Sequence, residues 1–141
     1  MRRALSSLVL LVLIGQTAIA EECVVKVIQV KAMCGKVVDV FNGMAIADVQ
    51  VQLLTGKGET VASSKSDPDG GFSFFGIDKG YYELVFTSDK WPSLRWPIQL
   101  SEGNAKSCRH PFYVSLWNKD PRDVCASRVT KKKPWPVNDH L

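Results

Sequence analysis

Histidine is nearly missing from this chain: of 141 residues only His110 and His140 are histidines. Nucleophilic catalysis needs a nucleophile, a base and an orienting group within hydrogen-bond reach, and no G-x-S-x-G nucleophile turn is present. His110, beside Pro111, reads as a loop residue. A C-x-x-C pair is also absent, and cysteine spacings of 11, 74 and 17 do not match a zinc ribbon. No segment beyond residue 20 carries an apolar period of 3.6, which excludes a helical bundle. Charge is modest as well. Without Arg2 and Arg3 the formal value falls from +4 to +2, too mild for a concentrated phosphate-binding face, so nucleic acid is not an expected partner.

What is present begins with an export signal. Arg2 and Arg3 precede the apolar run Leu8–Ile14, and Ala18-Ile19-Ala20 offers a small-residue cleavage site. The apolar run is too short to span a bilayer, which takes about 20 residues. Cys23 stands too late for a lipid-anchored precursor, so the expected product is a secreted or periplasmic protein with its leader, residues 1–20, removed after Ala20. The residues that should follow a twin-arginine pair are missing. All four cysteines, Cys23, Cys34, Cys108 and Cys125, lie beyond the leader. An even count in an oxidising compartment predicts two disulfides, with the pairing open.

The remaining chain is long enough for one domain, which buries about two-thirds of its unfolded surface at this size. Residues 23–31, rich in valine, read as a strand, and Lys36–Asp39 as a second. Asn42-Gly43 marks a turn. Asp48–Leu53 alternates polar and apolar residues, which turns Val49, Val51 and Leu53 toward a core. Residues 60–66 form a polar strand suited to an edge. Asp67–Phe74 and Gly76–Phe86 read as a β-hairpin, with Phe72 and Phe74 on one strand and Tyr82, Leu84 and Phe86 on the other. Leu94, Trp96, Ile98 and Leu100 alternate again, and Pro97 predicts an edge or a bulge. Phe112, Val114 and Leu116 make another inward face, and Arg122–Val129 a last strand. The expectation is an all-β, seven- or eight-stranded antiparallel sandwich over 35–130, preceded by an N-terminal strand segment over 21–34. A loosely ordered basic tail, 131–141, follows it.

Taken together, Gly35-Lys36-Val37-Val38-Asp39, Ala47-Asp48-Val49-Gln50-Val51, Ser66–Phe74 and Gly80-Tyr81-Tyr82-Glu83-Leu84 resemble the carboxypeptidase regulatory-like domain. This is a prealbumin-like (transthyretin-like) sandwich related to the Cna B-type repeats. The motif positions are Gly35, Asp39, Asp67, Gly70, Phe72, Phe74, Gly80 and Tyr82, with Ser66 where the family has threonine and a turn one residue longer than usual. The resemblance implies a non-catalytic accessory role in exported bacterial proteins, without a cofactor. Cna relatives form an isopeptide bond from a strand lysine with the help of a glutamate; the matching positions here are Val37 and Phe86, so that bond is not expected. The histidines and C-terminal motif of transthyretin-like hydrolases are not found either. In an Ig-like topology the first and last strands run parallel side by side. Cys34 and Cys108 each precede such a strand, which favours the pairs Cys34–Cys108 and Cys23–Cys125.

Three constellations have a functional and a plainer reading. Asp67, Asp69 and Asp78 could ligate calcium, but no glutamate stands at the twelfth loop position, and aspartates commonly cap tight turns. Trp91, Trp117, Tyr81 and Tyr113 would form a sugar-stacking platform if they shared an exposed face; Trp96, alternating with core positions, belongs inside. Lys131-Lys132-Lys133 reads as a solvated run whose attraction to anionic surfaces is salt-screened. The expected function is an accessory, protein-interaction or structural module that meets an envelope protein. The alternative is a carbohydrate-binding module that meets an extracellular polysaccharide through exposed tryptophans.

Overall fold

A computed structural model describes residues 25–103, 107–117, 125 and 127–134. The expected leader, Cys23 and most of the basic tail lie outside these residues. Strands follow one another without a helix among the described residues: β1 (Ile28–Val30), β2 (Met33–Asp39), β3 (Gln50–Thr55), β4 (Thr60–Lys65), β5 (Gly71–Phe74), β6 (Gly80–Thr87), β7 (Leu94–Leu100), β8 (Phe112–Leu116) and β9 (Arg128–Thr130). They form a five-stranded sheet in the order β1-β7-β6-β3-β4 and a four-stranded sheet in the order β5-β2-β8-β9.

The alternating sequences account for the core between the sheets. Val49, Val51 and Leu53 are fully buried, as are Leu84 and Ile98 from the same sheet and Val37 and Val114 from the other. Phe72 sits edge-on to Phe86 at 5.6 Å and to Phe112 at 5.7 Å, so aromatic rings from both sheets meet in the middle. Gly35 lies between Phe112 and Phe72, and a Cβ there would stand 2.9 Å from both rings. A side chain would push the rings apart, which is why the motif needs glycine at this close approach. The polar β4 closes one edge, as its composition predicts.

Four expectations need correction. The first concerns Phe72–Phe86: β5 and β6 are not a hairpin. β5 pairs with β2 and β6 with β3 and β7, so residues 75–79 carry the chain from one sheet to the other. The two aromatic faces therefore oppose each other across the core instead of lying side by side. The second concerns strand direction. Each sheet is mixed, because β1 runs parallel to β7 and β2 parallel to β8. The third concerns number. Nine strands are described rather than seven or eight, with three-residue strands β1 and β9 at sheet edges. Within the described part of the segment read as a strand over 23–31, pairing begins at Ile28, and β2 starts early enough to contain Cys34; of the expected last strand, β9 covers Arg128–Thr130, and residues 122–124 and 126 lie outside the described residues. The fourth concerns Pro97, whose strand is internal. β1 pairs only with Ile98–Leu100, so at Pro97 itself β7 has β6 as its sole described neighbour. The missing N–H is tolerated at that local edge.

Candidate binding site

The polar residues of the sequence motif are occupied by the backbone. Asp39 Oδ1 accepts a hydrogen bond from the Phe41 N–H at 2.7 Å, and the Gly43 N–H donates to the Asp39 carbonyl at 2.8 Å, which closes the Asn-Gly turn. Asp67 Oδ1 accepts from the Asp69 and Gly71 N–H groups at 2.8 and 2.9 Å. This arrangement is the turn-capping role that short acidic side chains fill. Gly70 has φ 76° and its carbonyl accepts the Val37 N–H at 2.8 Å; a Cβ there would run into the Val37 carbonyl. The turn is thereby docked onto β2. Among the described residues no three or more histidine, cysteine, aspartate or glutamate side chains cluster as a metal site.

Ser66, where the family pattern has threonine, is almost fully buried. Its hydroxyl donates to the Ile46 carbonyl at 2.8 Å and accepts the Val49 N–H at 2.9 Å. Tyr82 donates its hydroxyl proton to the Asp78 carbonyl at 2.7 Å and so ties the sheet-crossing segment to β6. Burial, and after it the negative charge of Asp78, hold the Tyr82 hydroxyl above the ordinary tyrosine range. Val37 and Phe86, at the isopeptide positions, are core residues.

The four aromatic candidates do not share a face. Tyr81 is 68% exposed on the outer surface of the five-stranded sheet, since its neighbour Tyr82 packs against the core. Tyr113 alternates with buried Phe112 and Val114 and so faces outward from the opposite sheet. Neither tryptophan is exposed. Trp91 is half-buried against the core, and Trp117 lies 6.1 Å from Phe41, ring to ring. Trp96 is buried, as its alternation predicts.

Of the expected cysteine pairs, Cys34–Cys108 is found, with Cys34 inside β2 rather than before it; Cys23 lies outside the described residues. Cys34 and Cys108 form a disulfide with a Cα separation of 6.1 Å, joining β2 to the segment before β8. No described cysteine is free, and Cys125 is also disulfide-bonded. Near this end of the sandwich lies a groove of about 480 Å³, lined among others by Lys31, Glu102, Arg109, His110, Phe112 and Lys131. His110 is exposed there and makes no hydrogen bond or ion pair to a described residue. Among the described residues it has no orienting partner of the kind a catalytic base needs. Sequence reasoning singled out Lys131 and His110 but missed Lys31 and Arg109. No motif links two cations that far apart in the chain.

Comparison with known families matches residues 32–109 to the carboxypeptidase regulatory-like domain. Comparison with curated proteins finds no match. The matched span starts just before β2 and ends between Cys108 and β8, so it contains both ends of the Cys34–Cys108 disulfide.

Proposed function

The chain belongs to the carboxypeptidase regulatory-like domain family, and from that membership we propose an exported, non-catalytic accessory module that docks onto another protein of the cell envelope or its surroundings. The observation that carries this reading is the fate of the motif side chains. Asp39, Ser66, Asp67 and Tyr82 each spend their polar atoms on backbone groups of their own fold. Their role is to specify a sandwich, and a sandwich of this kind serves as a scaffold for surfaces. Export by the residue 1–20 leader and a second disulfide, Cys23–Cys125, belong to the same reading.

A carbohydrate module needs aromatic faces presented together, and here Tyr81 and Tyr113 point from opposite sheets while Trp91 and Trp117 are half-buried. The reading is tested by titrating the purified protein with a panel of soluble polysaccharides while following tryptophan emission, and by assaying ester and peptide hydrolysis. The accessory reading expects no saturable quenching and no turnover. Saturable quenching abolished by Trp91→Ala or Trp117→Ala would replace it with the carbohydrate reading. Turnover abolished by His110→Ala would replace it with a hydrolase.

A further inference from the structure

The groove beside the Cys34–Cys108 disulfide is where unengaged positive charge collects. Lys31 comes from the β1–β2 connection, Arg109 from the segment before β8, and Lys131 from the end of β9. Three remote parts of the chain thus turn cations toward one concavity. Among the described residues the only ion pair is Arg95–Glu83, on the outer face of the five-stranded sheet, so all three cations are without an acidic partner. Glu102, the one carboxylate in the lining, makes no ion pair either. The lining also contains two buried apolar residues, Val30 and Phe112.

An apolar lining with a few converging polar groups is the general form of a small-molecule site, and about 480 Å³ falls in the usual range for one. A guanidinium offers a planar fork that matches carboxylate or phosphate oxygens two at a time, and ammonium groups add point charge. A solvated lysine run alone carries no such geometry; here only Lys131 of the three-lysine run joins the lining, together with cations from elsewhere.

We propose that this groove binds a small organic anion with more than one phosphate or carboxylate group, seated on Val30 and Phe112 and held by Lys31, Arg109 and Lys131. The proposal goes beyond the accessory role and does not depend on the identity of a protein partner. Nothing in it requires catalysis.

The test uses the purified, oxidised protein and two free probes, inorganic pyrophosphate and citrate, followed by amide chemical shifts. Saturable shifts confined to residues 29–32, 107–112 and 131 are expected with at least one probe, and which probe binds separates phosphate from carboxylate chemistry. Arg109→Gln and the pair Lys31→Gln/Lys131→Gln, all on exposed side chains, should each weaken binding about tenfold or more. Lys57→Gln, in the exposed β3–β4 turn, should leave it unchanged. Absence of saturation with both probes would overturn the proposal. So would equal weakening by Lys57→Gln, or binding seen only with phosphatidylglycerol vesicles.

Discussion

Ser66 uses both capacities of its hydroxyl inside the fold, giving a proton to the Ile46 carbonyl and taking one from the Val49 N–H. Removing it leaves two backbone groups buried without partners, each of which costs about 1–3 kcal/mol. Ser66→Ala is therefore expected to lower unfolding free energy by at least about 1 kcal/mol, measured by urea denaturation. An unchanged midpoint would mean that water satisfies the loop. Tyr82 gives a prediction with a sign. Its hydroxyl is held above the ordinary value of 10.0 by burial and then by Asp78. Folding thus favours the neutral phenol, so this contribution is complete below about pH 10 and is lost as pH rises through the higher folded value. Tyr82→Phe should cost about 1 kcal/mol at neutral pH through the lost hydrogen bond and should flatten the alkaline decline in melting temperature. An alkaline limb of equal steepness in the variant would contradict the assignment.

At the scale of elements, much is legible in the sequence and two features are not. Strict alternation over Asp48–Leu53 placed Val49, Val51 and Leu53 in the core, where all three have no exposed surface. The polar composition of residues 60–66 identified an edge, which β4 occupies. The Asp67–Phe86 stretch reads as a hairpin because period-two alternation looks the same in both geometries. Strands paired side by side and strands facing each other across a core both need one apolar face. Only tertiary contact separates the two cases, and here Phe72 meets Phe86 at 5.6 Å from the opposite sheet. Pro97 predicts an edge strand or a bulge, but β7 is internal; the proline is tolerated because β1 is too short to reach it. The basic groove was illegible for a related reason. Lys31, Arg109 and Lys131 have no shared motif, and the pairings β1–β7, β2–β8 and β8–β9 bring their segments to one end.

For the whole molecule, the disulfide acts where the fold is least local. β2 and β8 are parallel neighbours far apart in sequence, and Cys34–Cys108 links them across 74 residues. In the chain-entropy account, closing such a loop stabilises the native state by about 4 kcal/mol. Cys34→Ser/Cys108→Ser is expected to lose most of that in denaturant unfolding, with the secondary structure retained wherever the protein still folds. A change under about 1 kcal/mol would show that the unfolded chain gains little freedom from the break. The family match, the sheet topology and this cross-link describe one scaffold whose motif side chains Asp39, Ser66, Asp67 and Tyr82 bond to its own backbone. Any function then falls to its surface.

The central claim, that the scaffold docks onto a protein partner without catalysing a reaction, is tested most directly by affinity capture. The oxidised chain over residues 21–141 would be immobilised and exposed to an envelope extract of the producing cells, with retained material identified after washing at raised salt. The account predicts a specific protein, retained saturably and competed off by free soluble chain. Retention of polysaccharide alone, or of nothing that free chain can displace, would contradict it.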